Sequence, residues 1–237
     1  ERGCQLLVDR RAAGWPPPHA AVAAVMRACG AHGEWLPALR VLWHEHDEFP
    51  AAVAMATSPR AHDSSDEAND ATAHHLSVLD AVADATASHA TSKHGSEGPG
   101  ELRALAMQAC NTAGRWEHAL CLFDAVRHAG AVPGATEWRA ALESFAAGGL
   151  WQRAAVALRA MERGGMGVGV DELAHAATAC VRSSEWVALG RVFRVAAMHG
   201  SSALETVGER ASAACASAED AETVRGLSKA VAPAVEP

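Results

Sequence analysis

Ala109-Cys110-Asn111-Thr112-Ala113-Gly114-Arg115-Trp116-Glu117-His118-Ala119-Leu120-Cys121-Leu122-Phe123 reads as the end of one helix, a tight turn at Gly114, and a second helix entered through Trp116. Related stretches stand on both sides of it. Upstream, Ala28-Cys29-Gly30-Ala31-His32-Gly33-Glu34-Trp35 has the same order of residue types. Downstream, Phe145 to Trp151 and Cys180 to Trp186 repeat it in weaker form. Trp116, Trp151 and Trp186 are spaced 35 residues apart, and the same step carries Cys180 onto Cys215. Self-similarity at a fixed period of this size marks a stacked array of small helical units.

Composition supports helices. Ala is abundant, Tyr is absent, and β-branched and aromatic residues are sparse, a mixture that favours helix over strand. No apolar run approaches the roughly 18 residues that span a bilayer. The six Cys form no CxxC pair and no secreted-framework spacing, which points to a reducing compartment and away from a disulfide scaffold. The net charge of −8 is local: residues 44–100 carry ten acidic residues against Arg60 and Lys93, and the rest of the chain balances. Neither part has the basic field of a stand-alone nucleic-acid binder.

The chain divides into three parts. Residues 1–49 hold N-terminal helical repeats, the first incomplete. Gln5 to Pro17 aligns with Leu120 to Pro133, so residue 1 falls just after the place of the repeat's Trp, and sequence upstream of Glu1 is expected, the alternative being that the array opens on a lone capping helix. Val22, Val25, Met26 and Cys29 make one apolar stripe, and Trp35, Leu39, Leu42 and Trp43 a second. Residues 50–100 form a degenerate repeat with an acidic insert, polar loops at 58–70 and 91–100, and a helix over 71–90. Residues 101–237 form a regular array with helix pairs near 101–112 and 115–129, 136–147 and 150–163, 171–182 and 185–199, and a closing pair near 206–217 and 219–230. Thr136 and Asp171 are expected as N-caps, and Gly130, Gly164 and Gly200 as left-handed C-caps.

The 35-residue unit, with Gly114-Arg115-Trp116-Glu117-His118-Ala119-Leu120 followed by Gly130 and Pro133, resembles the pentatricopeptide repeat. The resemblance covers about three-quarters of the chain, and the Trp at the start of the second helix is similar to repeats of protist mitochondrial proteins. It implies an all-α fold, a right-handed α-solenoid, in the mitochondrial matrix, with single-stranded RNA as the family's usual ligand. The family reads bases through the fourth residue of the first helix and the last residue of the unit. Those positions here are Ala23, Ala104, Arg139, Ala174 and Glu209, and Pro18, Gly134 and Gly169. Most of them have no side chain able to hydrogen-bond a base edge. Arg103 and Arg139, early in first helices, are the candidates for contact with an RNA backbone.

The remaining conspicuous residues point to packing. Cys29, Cys110, Cys180 and Cys215 share a register and are expected to fill first helices as small apolar side chains. Trp35, Trp116, Trp151 and Trp186 share another and are expected to wedge between helices. His44 and His46 point about 200° apart on a helix, leaving no zinc set beyond His44 with Glu48. Gly164 to Gly169 lacks the strand and Lys-Ser of a phosphate loop and reads as an inter-repeat turn. No catalytic arrangement, cofactor or metal is expected. The expected function is a structural subunit of a mitochondrial ribonucleoprotein, with the mitochondrial ribosome first. Its contacts would be mainly with other proteins and incidentally with RNA backbone, with no membrane and no small-molecule substrate. The alternatives are an organellar RNA-processing or editing factor on single-stranded transcripts, and a cytosolic scaffold of tetratricopeptide type.

Overall fold

A computed structural model describes residues 2–15, 17–45, 99–128 and 132–232. Every regular element among them is a helix and none is a strand. In order they are α1 (Arg2–Ala12), α2 (His19–His32), α3 (Trp35–Glu45), α4 (Pro99–Thr112), α5 (Trp116–His128), α6 (Ala135–Gly148), α7 (Trp151–Arg163), α8 (Val170–Arg182), α9 (Trp186–Met198), α10 (Ser201–Ala213) and α11 (Ala218–Val231). The chain separates into two compact units, residues 1–137 and 138–237. The loop and helix expected at 58–70 and 71–90 lie outside the described residues, as do Pro50, Gly130 and most of the segment 91–100.

The turn within each of the first four helix pairs has one construction. Gly33, Gly114 and Gly149 take left-handed backbone at φ 65°, 72° and 65°, and Ser184 takes it at φ 56° in the fourth pair. The next residue's N–H then reaches five residues back: Glu34 to the Cys29 carbonyl, Arg115 to Cys110, Leu150 to Phe145 and Glu185 to Cys180, all at 2.8–2.9 Å. These bonds satisfy carbonyls that the helix end leaves without partners. The register residue of the first helix thus packs with its side chain and holds the turn with its backbone.

In the first unit α4 packs on α2, α3 and α5. Met107 and Cys110 are fully buried in α4, Phe123 in α5 and Met26 in α2. Val22, Met26 and Cys29 of the stripe expected in α2 are buried and Val25 half-buried, and Leu39 and Leu42 of α3 are buried as well. α4 begins at Pro99, inside what reads from sequence as a linker, because proline is at ease in a first turn.

In the second unit α8 is the hub, packed against α7, α9 and α10. Leu173, Ala174, Ala177 and Cys180 join Leu189 and Phe193 of α9, Val207 and Ala211 of α10 and Val224 of α11 in one core. α8 is buried on most of its circumference, and its run of alanines lets three neighbours approach closely.

The last pair departs from the expected register. Six residues, 164–169, join α7 to α8, but only His199 and Gly200 join α9 to α10. α10 therefore starts at Ser201, not near 206, and Ala211, fully buried, takes the place that Cys180 has in α8. Cys215 falls beyond the helix end, half-buried, with its thiol on the Ala211 carbonyl. Glu209 likewise leaves the fourth position. Four expected caps shift for local reasons. Gly164 is right-handed and the left-handed residue is Gly165, at φ 67°. Gly200, at φ 116°, opens α10 rather than closing α9. Thr136 and Asp171 lie inside their helices.

Candidate functional site

Gly134 and Gly169 stand immediately before α6 and α8. Three residues on, a glutamate folds back over each. Glu137 Oε2 accepts the Gly134 N–H and Glu172 Oε2 the Gly169 N–H, both at 2.8 Å. This is the acidic half of a capping box, and the negative charge also suits the helix's positive end. The second oxygen of each carboxylate takes an arginine from another first helix. Arg103 Nε of α4 donates to Glu137 Oε1 at 2.8 Å, and Arg139 Nε of α6 donates to Glu172 Oε1.

The two arginines singled out from sequence are therefore both engaged within the protein. Arg103 is buried, its side chain 9 % exposed against 3 % for Glu137, and a Cβ on Gly100 would stand 3.2 Å from the same carboxylate. The Arg103 guanidinium, expected to be available to an RNA backbone, is largely enclosed by protein and paired with Glu137. The Arg139 side chain remains 58 % exposed, so its other nitrogens face solvent. Two further bridges join first helices, Arg27 to Glu101 at 3.1 Å and Arg210 to Asp171 at 2.5 Å. Sequence reading missed this set of bridges, although Gly134-x-x-Glu137 and Gly169-x-x-Glu172 are visible as a spacing 35 residues apart.

Of the positions where the resemblance would place base-reading side chains, the three alanines face inward, whereas Pro18, Gly134, Arg139 and Glu209 are exposed. Ala23, Ala104 and Ala174 are buried. The closing glycines offer only backbone, and their N–H groups are taken. At Gly169 a Cβ would come within 2.9 Å of Glu172 Oε2, so the carboxylate occupies the space of a side chain.

The register cysteines Cys29, Cys110 and Cys180 are buried, and burial pushes each thiol up to about 12. Cys4 and Cys29 bring their sulfurs within 3.5 Å. Among the described residues, no three His, Cys, Asp or Glu side chains converge as metal ligands, and no helix is long and apolar enough to cross a membrane. His46 and Glu48 lie outside the described residues. The register tryptophans are half-buried. Trp35 meets the His118 ring at 5.0 Å with Arg115 over its face at 5.8 Å.

Charge is unevenly shared among the helices of the second unit. α7 and α9 carry Arg153, Arg159, Arg163, Arg191 and Arg194 against the single acid Glu162. α8 and α10 each carry two acids against one arginine. Arg153 lies over the Phe145 ring at 4.8 Å, whereas the other four are exposed. Between α7 and α9, with α8 as floor, runs a groove of about 320 Å³ lined by Trp151, Leu158, Arg159, Cys180, Arg191 and Val192, among others. A neutral total concealed this separation, and a helix-by-helix sum recovers it. No family model matches the chain, and no curated protein matches it in sequence.

Proposed function

We propose that the helix pairs stack as a right-handed α-solenoid of pentatricopeptide type with a 35-residue period. We propose further that the chain is a structural subunit of a mitochondrial ribonucleoprotein, the mitochondrial ribosome first. The observation that carries this reading is the fate of the base-reading positions. Ala23, Ala104 and Ala174 are buried, and the Gly134 and Gly169 N–H groups are held by Glu137 and Glu172. Such an array keeps its packing while lacking the polar side chains that discriminate bases. A stack of this kind offers a long surface for its mass, which suits protein contacts at the edge of a large assembly.

The test is sedimentation of the tagged protein from organelle lysate, with and without magnesium chelation. The protein should travel with ribosomal particles and stay with one subunit after they dissociate. Migration as a free monomer would overturn the reading. A second reading, an organellar factor bound to single-stranded transcripts, draws on the exposed arginines of α7 and α9. It would show as a nuclease-sensitive complex without ribosomal proteins.

A further inference from the structure

We propose that the groove between α7 and α9 docks an amphipathic helix of a partner protein, one whose apolar stripe is flanked by Asp and Glu. This rests on the reading of the chain as a subunit held by protein contacts, and it names the surface and the partner's chemistry. In the second unit the exposed large apolar side chains are Val156 of α7 and Val187 and Met198 of α9. Val187 and Met198 are 73 % and 84 % exposed, whereas α8, α10 and α11 carry no such side chain among the described residues. Apolar surface is thus concentrated on the two helices that wall the groove. The same two helices hold the free cations. Arg159 and Arg191 stand on opposite walls, and Arg163 and Arg194 follow them at steps that share a helix face. Arg159 and Arg163 use Nε on carbonyls of their own helix at 3.2 Å, leaving two terminal nitrogens each to donate outward. None of the four is ion-paired among the described residues, in contrast with Arg103, Arg139 and Arg210. Glu162 is the single acid in the lining, and Arg159 and Arg163 flank it on α7.

Shape and charge choose the occupant together. The groove has a helix as floor and a helix as each wall, so a further helix completes the packing, its side chains entering at three- and four-residue steps. From Trp151 to Glu162 the α7 wall runs about 16 Å, which matches three turns of a partner. A volume of about 320 Å³ admits the apolar row of such a helix while its body lies outside. Ala155 and Ala188 leave the room, and Leu158, Val192 and Val195 supply aliphatic surface against it. The partner's flanking residues then fall beside the arginines at the rim. Carboxylates suit them, because a guanidinium fork gives a carboxylate two parallel bonds at once. The lining is aliphatic, with Trp151 as its one ring, where a face for stacking bases would be aromatic.

The experiment titrates the full chain into a fluorescein-labelled helical peptide with Leu along one face and Glu on both flanks, read by anisotropy. Arg159→Glu combined with Arg191→Glu should weaken binding at least ~10-fold. The same double variant should gain the counterpart peptide that has Lys in place of Glu. Ala188→Trp, which fills the groove without changing charge, should weaken the Glu peptide as well, and Arg139→Gln should leave it unchanged. Circular dichroism checks that each variant is folded. A peptide of the same composition in scrambled order that binds equally well reduces the contact to charge alone and overturns the proposal. Binding that survives the double reversal overturns it too. Oligouridylate or anionic phospholipid vesicles that displace the peptide at lower concentration assign the face to nucleic acid or lipid, with the same consequence. So does a dimer of the chain alone that the double reversal dissociates, since a second copy would then fill the groove. Absence of peptide binding in a chain that sediments with ribosomal particles removes the docking site and leaves the ribonucleoprotein reading intact. Groove-dependent binding in a chain that sediments free of particles keeps the docking site and removes that reading.

Discussion

Arg103 Nε lies 2.8 Å from Glu137 Oε1, with both side chains buried. Glu137 also caps α6 through the Gly134 N–H, so one carboxylate joins two first helices and starts the second of them. Removing either charge leaves the other buried without compensation. Glu137→Ala should therefore cost about 3–5 kcal/mol. Glu172→Ala should cost less, about 1–2 kcal/mol, because its Arg139 partner is mostly in solvent and the helix cap is the larger loss. Urea unfolding of both variants checks the order. Equal costs would mean that burial of the first pair has no energetic consequence.

The two closing glycines should respond differently to a methyl group. At Gly169 a Cβ would stand 2.9 Å from Glu172 Oε2, whereas at Gly134 the nearest atom, Glu137 Oε2, is 3.7 Å away. Gly169→Ala should displace the Glu172 carboxylate and cost about 1–2 kcal/mol. Gly134→Ala should be neutral within about 0.5 kcal/mol. Thermal melts of the two variants, run side by side, give the comparison.

Ser184 is the one non-glycine with positive φ among the described residues, at 56°, where the other three turns have glycine. The left-handed conformation costs a residue with a Cβ about 1–2 kcal/mol. Glycine's larger unfolded-state entropy offsets part of that. Ser184→Gly should thus stabilise the chain by roughly 0.5–1 kcal/mol and raise the melting temperature by a few degrees. A lower melting temperature would mean that the Ser184 side chain stabilises the turn by more than its backbone conformation costs.

His175 of α8 supplies a pH dependence. Burial lowers its pKa below the ordinary imidazole value, Arg210 of α10 adds to this, and Asp171 and Glu172 oppose it. A histidine held neutral in the fold favours the folded state above the unfolded pKa, near 6.5. That contribution is lost as pH falls from there through the lower folded value. Stability should therefore decline below about pH 6.5, and His175→Gln should flatten this part of the curve. Chemical denaturation at stepped pH measures both, and an unchanged slope in the variant assigns the decline elsewhere.

The sequence by itself determined the helices and their turns. Gly114 before a second helix announced a tight turn, and it takes left-handed backbone there, as Gly33 and Gly149 do, because only glycine enters that region without strain. The apolar steps of Val22, Met26 and Cys29 announced a buried face, because three- and four-residue spacing follows from helical geometry alone. Tertiary structure decided where charge goes. Arg103 and Arg139 look alike in sequence, yet one is enclosed by Gly100 and Glu137 and the other stays in solvent, since burial depends on which helix arrives opposite. The early start of α10 was equally hidden. A two-residue link moved Ala211 into the core position and left Cys215 outside the helix, a choice made by packing against α8 and not by the 35-residue count. The groove between α7 and α9 likewise exists only once α8 has brought those two helices to its flanks.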